Sequence, residues 1–410
     1  MTRSVRPRLC ILTQYFPPEM GAPQARLSEL GERLVDRGWH VDALTALPNY
    51  PTGRVFDSYD PTVPVVEEVG RLQTARVPLY TAKTGFAKRL ASYYSFTINA
   101  RRYGPRLLPR PDVIWAESPP LFLGHAAVSL SYKWRCPFVF NVSDLWPESA
   151  VRMGILRQGP LTKAAELLEL SFYKEAAAVT AQSSGSVRSI VERCPGVRAE
   201  VITNGVEPAR FGPDKVDDDA RTLLGREPGP VFVYAGLLGW AQGLDQILDV
   251  AAAWPDDVPG RFVLIGEGPD REKLGRRIAE ERIGRVRLLP AQPRHRIPAL
   301  LAAADVAFIT LGMSIPGAVP SKIYEAMAAS LPIVLVADGE PAERVTSSSG
   351  GIAVAPGRTR EILEACLRLA GDGQLRVEMG AAGRRAAETL YARDKIADRL
   401  DSLLREVAQG

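Results

Sequence analysis

Cysteine is scarce: four residues in a chain of 410, at positions 10, 136, 194 and 366. No two stand at CxxC or other metal-ligand spacing, which excludes a thiolate metal knuckle and a disulfide framework. They read as the reduced thiols of a cytosolic protein. Long apolar runs are lacking too; "LFLGHAAVSLSY" falls well short of the roughly 20 residues that span a bilayer. The opening "MTRSVRPRLCILTQYF" is basic but has no small-residue cleavage site, so export is not expected. Acids are absent from one stretch: residues 71–110 hold nine Lys and Arg and no Asp or Glu. No recognition motif for nucleic acid accompanies that stretch, and no partner of that kind is expected. A GxGxxG dinucleotide fingerprint is also missing.

What is present is a soluble composition, 46% hydrophobic and 24% charged, on a chain long enough for two cores. Residues 1–195 carry 24 Lys and Arg against 17 Asp and Glu, and the remainder 27 against 30. Short apolar runs alternate with amphipathic ones: "RLCILTQYF", "PQARLSELGERLVDRG", "HVDALTAL", and later "PDVIWAES" and "PFVFNVSD". After the Pro- and Gly-rich "EPARFGPDKVDDDARTLLGREPGP" the alternation restarts at "VFVYAGLLG" and runs to "GIAVAPG". Helices between near-continuous apolar strands predict parallel sheets covered on both faces. The fold class is therefore α/β, with two doubly wound Rossmann-like domains facing across a cleft. We place them at 1–205 and 206–385, with a helix over 386–410 packing back on the first.

Ligands of such sheets sit beyond the carboxyl ends of the strands. There the first domain offers Gly21 before a helix, "LPNYPTG", and "NVSDLWPE" with Asp144 and Glu148. A turn explains Gly21 and a helix cap explains Asp144 equally simply. The second domain offers Gly236 and Gln242 in "YAGLLGWAQG", then "PSKIYEAMAASLP". The helix start at Ser321 supplies free amides and partial positive charge suited to phosphate, and Lys322 adds a full charge. Glu325 lies four residues on, on the face of Ser321, where a carboxylate can accept both ribose hydroxyls. Residues 71–110 interleave their cations with Tyr80, Phe86, Tyr93, Tyr94, Phe96 and Tyr103. That pattern fits a solvated helix face, or a peripheral contact with anionic lipid.

These segments, with "ITNGVE", "VLIGEGPDREKL" and "IPALLAAADVAFITL", resemble the GT-B glycosyltransferases of family 4 over nearly the whole chain. "PSKIYEAMA" and "DLWPES" look most like the subgroup typified by acetamido-sugar transferases of O-antigen assembly. The resemblance implies a retaining glycosyltransferase that needs no cofactor or metal. Its donor would be a nucleotide-diphosphate sugar, UDP-linked, and its acceptor a glycan or polyprenyl-diphosphate-linked sugar at the inner face of the plasma membrane. It places Glu325 as the second acid of the family's E-x7-E motif, on the donor ribose. Ser321, Lys322, Gly21, Asn204, Gly236 and Gln242 fall at the donor, with Lys322, Asp144 and Glu148 as the catalytic candidates. There are three departures. Gly317 stands where the first motif acid belongs, leaving sugar contact to the backbone of Gly317 and Ala318. Leu237, Leu238 and Gln242 replace the usual Arg and Lys of the glycine loop. Ser143 and Asp144 occupy the neighbourhood of a usual His. A nucleotide-sugar 2-epimerase and a non-catalytic sugar-nucleotide or membrane-binding protein remain the alternatives.

Overall fold

The computed structural model describes residues 6–410 except 83, 84, 153, 155, 226, 313–316 and 318, with backbone alone at 22 and 86. Lys83 and Ala318 thus lie outside the described residues. The chain forms two compact units, one ending at Thr203 and completed by Ile396–Gly410, the other spanning Asn204–Lys395.

In the first unit the strands are β1 (Arg8–Leu12), β2 (His40–Ala46), β3 (Val65–Val69), β4 (Leu72–Val77), β5 (Val113–Ser118), β6 (Phe138–Val142), β7 (Ala178–Ala181) and β8 (Ala199–Val201). They form one sheet in the order β3-β4-β2-β1-β5-β6-β7-β8, parallel except for the β3–β4 hairpin. Its central strands are largely apolar because both faces are covered, with buried polar residues such as Glu117 and Asn141 near their carboxyl ends. Cys10 and Leu12 enter one core cluster, while Leu9 and Ile11 enter the other. The strand order reverses between β1 and β5, so a crevice opens at their carboxyl ends.

The β3–β4 hairpin lies partly inside the acid-free stretch, where the sequence reading had placed no strand. Gly70 turns it at φ +60°, a left-handed value that favours glycine. Arg76 of β4 is fully buried, donates to Glu67 and to the Pro17 carbonyl, and faces the Tyr59 ring. Arg71 pairs with Asp36 at 2.7 Å. Two of the nine cations of that stretch therefore hold the sheet edge, and the exposed ones concentrate on the helix Phe86–Leu107.

The second unit contains β9 (Val231–Ala235), β10 (Arg261–Ile265), β11 (Val286–Leu289), β12 (Val306–Thr310), β13 (Ile333–Val336) and β14 (Gly351–Val354). All are parallel, in the order β11-β10-β9-β12-β13-β14. This is the doubly wound order 3-2-1-4-5-6, whose switch point lies between β9 and β12.

The chain end differs from the single helix placed at 386–410. A helix over Gly373–Thr389 stops, and another runs Arg393–Gln409. Between them the backbone pairs with the strand-like crossing at Val206, whose N–H donates to Tyr391 and whose carbonyl accepts from Arg393, at 2.8 and 2.9 Å. The last helix puts Ile396, Ala397, Leu400, Leu403, Leu404 and Val407 on one stripe. That stripe packs in the first unit with Leu27, Leu30, Leu34 and Trp39, and the Trp39 indole donates to Asp401 at 2.6 Å.

Glycines fix the loops at the second switch point by backbone approach. The Gly236 N–H donates to Ile265 and the Leu238 N–H to Glu267, at 2.8 and 2.9 Å, lacing the loop after β9 to that after β10. A Cβ on Gly266 would stand 1.8 Å from the Gly236 oxygen, and one on Gly268 2.2 Å from the Leu238 oxygen. A Cβ on Gly243 would meet the Gly312 Cα at 2.6 Å, so the loop after β12 is drawn in as well. Gly266→Ala should cost about 1–3 kcal/mol, as overpacking does. Denaturant midpoints should drop for this variant and stay put for Gly284→Ala, where a Cβ meets open space; equal midpoints would contradict the lacing.

Candidate active site

Lys322 enters the second switch point from the first turn of the helix Ser321–Ala328. A Cβ on Gly236 would lie 2.2 Å from the Lys322 Cε, so the side-chain stem occupies the space that glycine leaves. The ammonium stands 5.2 Å over the Tyr234 ring, and the Tyr234 hydroxyl donates to the Leu237 carbonyl at 2.7 Å. Burial pushes the Lys322 ammonium below its ordinary pKa, and the Glu325 carboxylate pulls it partly back. Burial likewise raises Glu325, opposed by Arg294 first and then by Lys322 and Arg210. Among the described residues neither the Lys322 ammonium nor the Glu325 carboxylate makes a hydrogen bond, while the Glu325 backbone carbonyl accepts from the Ala329 N–H at 2.9 Å. Both line a cavity of about 20 Å³ with Ile297 and Leu301, room for roughly one water.

The other expected donor residues of the second unit are Ser321, Gln242, Gly317 and Asn204. Ser321 is exposed at the helix start, and its side chain makes no cap. Gln242 closes the short helical turn Trp240–Gln242; its carbonyl accepts from Thr310 at 2.6 Å, while its side-chain Oε1 is buried without a partner. Gly317 has φ +78°, so an acid at this position would be strained. Asn204 opens the second unit, followed by Gly205 at φ +57°.

Gly21, Asp144 and Glu148 belong to the first unit. Gly21 is extended at the head of the helix Ala22–Asp36. A Cβ there would press on the Gln24 amide, 2.3 Å away, which is the flexible end of a side chain. Asp144 is exposed just past β6, and its carboxyl is raised by the surrounding protein and lowered by Ser149. Glu148 is committed to ion pairs, with Arg152 at 3.0 Å and Arg193 at 3.9 Å.

A buried polar network beneath the Ser143–Asp144 turn was not anticipated from the sequence. Arg26 donates to both Glu117 oxygens at 2.7 Å and to the Ser143 hydroxyl at 2.8 Å. Asn141 donates to Glu117 at 2.6 Å and accepts from Thr180 at 2.7 Å, and Gln182 donates to Ser143 at 2.7 Å. The network ties the helix after β1 to the ends of β5, β6 and β7. The only trace in the sequence was polar residues interrupting otherwise apolar strands: Glu117 in "VIWAES" and Asn141 in "FVFNV". Among the described residues no group of three His, Cys, Asp or Glu could hold a metal ion.

Comparison with known proteins agrees with this architecture. Residues 21–205 match the family model "Glycosyl transferase 4-like domain", and residues 216–386 match "Glycosyl transferases group 1". The chain is 26% identical over 338 residues to the "Putative colanic acid biosynthesis glycosyl transferase WcaI" of Escherichia coli (strain K12), covering 79% of this chain and 81% of that protein. In structure it resembles sucrose-phosphate synthase from Thermosynechococcus elongatus, with TM-score 0.76, 18% identity, and 98% and 99% of the two chains covered. It also resembles Anabaena HepE in complex with UDP, with TM-score 0.71, 17% identity, and 97% and 100% covered. With both halves matched by family models and both sheets doubly wound, the chain belongs to the GT-B glycosyltransferases, with a family 4-like first half and a group 1 second half.

Proposed function

We propose that this glycosyltransferase moves a hexose or N-acetylated hexosamine, with retention, from a UDP-sugar to a glycan or lipid-linked acceptor in surface polysaccharide assembly. The observation that carries the donor reading is the Lys322–Glu325 pair. A cation and an acid stand on successive turns at a helix start, at the switch point of the second sheet, without a hydrogen-bond partner among the described residues. Glu325 would take the ribose hydroxyls, and Lys322 with the free helix amides would take the diphosphate. UDP in the HepE structure supports the base, and the WcaI relative supports the polysaccharide setting.

Transfer breaks the bond from the anomeric carbon to the β-phosphate oxygen and forms one to the acceptor hydroxyl oxygen, whose proton would leave on the departing diphosphate. Charge grows on the departing diphosphate, and Lys322 would stand where that charge develops, the kind of preorganised electrostatics that often contributes most to catalysis. No metal enters this scheme. In the first unit we assign Asp144 to the acceptor or transferred sugar. Glu148, held by Arg152 and Arg193, would position the short helix that follows.

Acceptors of this kind are lipid-borne, and we propose peripheral contact with the inner leaflet through the helix Phe86–Leu107. That helix exposes Tyr94 and Ile98 among Lys88, Arg89, Arg101, Arg102 and Arg106. No helix among the described residues is long and apolar enough to cross a membrane.

Calorimetric titration of UDP should give about tenfold or greater weakening for Glu325→Ala and for Lys322→Ala. UDP binding unchanged in both variants would remove the donor assignment. Activity should persist after extensive dialysis against EDTA.

The two pKa shifts point towards each other, so the pH window for UDP binding should be narrower than free side chains would give. Affinity should fall as pH drops through the raised Glu325 pKa, above the ordinary 4.5, and as pH rises through the lowered Lys322 pKa, below 10.5. Between those limits both groups are charged at a cost to the empty fold, which bound nucleotide offsets. A pH titration of UDP affinity checks this, and Glu325→Gln should abolish the acid limb.

Vesicles of phosphatidylglycerol should retain the parent and release the Arg101→Gln, Arg102→Gln, Arg106→Gln triple variant, with added salt mimicking the loss. Equal retention would exclude the helix as the membrane contact.

A further inference from the structure

Three phenols neighbour one cation, Arg89 of the helix Phe86–Leu107, beyond the carboxyl ends of β1 and β2. Tyr15 follows β1 and Tyr50 follows β2, and their rings meet edge to face with centroids 5.8 Å apart. Tyr93 comes from the helix Phe86–Leu107, one turn beyond Arg89, whose Nη2 donates to the Tyr93 hydroxyl at 3.4 Å. Tyr93, Tyr15 and Tyr50 are the ionisable neighbours that act on the Arg89 guanidinium, all three neutral phenols near pH 7. Among the described residues no carboxylate pairs with it, and its helix contains no acid.

Glu19, the acid that acts on Tyr15, is already engaged. Buried at 3% exposure, it accepts from the Phe16 N–H at 3.1 Å and from the Asn49 and Tyr50 N–H groups at 2.8 Å. Those bonds tie the loop after β1 to the loop after β2, so Tyr15 and Tyr50 are presented from a clamped frame. Tyr50 is 48% exposed and Arg89 is exposed, so both can be reached from solvent. A guanidinium matches phosphate oxygens bidentately, phenol hydroxyls add donors, and an open tyrosine face suits a pyranose ring.

We propose that Arg89, framed by Tyr15, Tyr50 and Tyr93, is an anion subsite that holds the phosphate or diphosphate of a lipid-linked acceptor. The inference rests on the reading of this chain as a glycosyltransferase with a phosphate-bearing acceptor, and it names the residues that select that acceptor. It separates Arg89 from the cations farther along the helix, which meet lipid only through bulk charge.

The test titrates geranyl diphosphate into the full chain by calorimetry, with and without saturating UDP, for the parent, Arg89→Gln, Arg89→Lys, Tyr93→Phe and Arg106→Gln. The parent should bind the probe in both conditions. Arg89→Gln should weaken it about tenfold, Arg89→Lys and Tyr93→Phe less, and Arg106→Gln not at all. A parent that does not bind, or equal losses for Arg89→Gln and Arg106→Gln, would overturn the proposal. A parent that fails to bind UDP would sink the donor reading alone, since the titration without UDP still decides this one. Phosphatidylglycerol vesicles form the last arm. If Arg89→Gln loses vesicle binding but keeps geranyl diphosphate, the anion read there is a headgroup and the acceptor subsite is wrong.

Discussion

Backbone crossing backbone at glycine is the constraint on which the second unit depends. The loop after β9 lies so close to the loop after β10 that Gly266 and Gly268 leave no room for a methyl group. Gly243 and Gly312 repeat the arrangement against the loop after β12. Three loops that would otherwise be mobile become one surface at the carboxyl end of the sheet. Gly236 belongs to the same surface, and the space that its missing Cβ vacates holds the Lys322 stem. The position of Lys322, the cation proposed for the diphosphate, therefore follows from backbone packing.

The first unit solves the same problem with charge. Its switch point is held by Arg26 and Glu117, both almost completely buried, and by four uncharged polar side chains around them. Removing one partner of such a pair costs about 3–5 kcal/mol, because the other is left buried and uncompensated. The geometry demanded is correspondingly narrow: the helix after β1 and the turn after β6 cannot shift without breaking it. Ser143 is a member of the network, and Asp144 is its neighbour towards solvent. A hydroxyl and an acid thus stand on a rigid mount where the family resemblance would lead one to expect a histidine.

The alternation of apolar runs and helical segments made both parallel sheets legible, since a strand buried on two faces has no polar positions to blur it. Lys322 and Glu325 were legible for a related reason, being polar groups on a helix whose other residues are apolar. Arg26 and Glu117 were not. A charge on an amphipathic helix reads as solvated, and only the fold brings Glu117 to it from 91 residues away. Arg76 misled in the same way: in the sequence it swells a basic patch, and in the fold it is fully buried against Glu67 and Tyr59. The hairpin β3–β4 was hidden because its second strand lay in a stretch defined by its charge, although Gly70 marked the turn. The break at Leu390–Ala392 was hidden because it arises from pairing with Val206, far away in sequence.

Gly317 connects the missing acid to the remaining chemistry. Its φ of +78° is a conformation that side-chain-bearing residues rarely adopt, so the local backbone and a glutamate at this site are at odds. Against the pattern that the family resemblance implies, with Gly317 in place of an acid and Leu237, Leu238 and Gln242 in place of the glycine-loop cations, the surroundings of Lys322 and Glu325 would lack one acid and two bases. Relative to that pattern the site would hold fewer charges and be one unit less positive. Glu325 compensates by drawing on Arg294 and Arg210 from neighbouring loops, and Lys322 is steadied by Glu325 and by the Tyr234 face. In the function proposed above, a site with fewer charges would place more of the developing negative charge on the Lys322 ammonium.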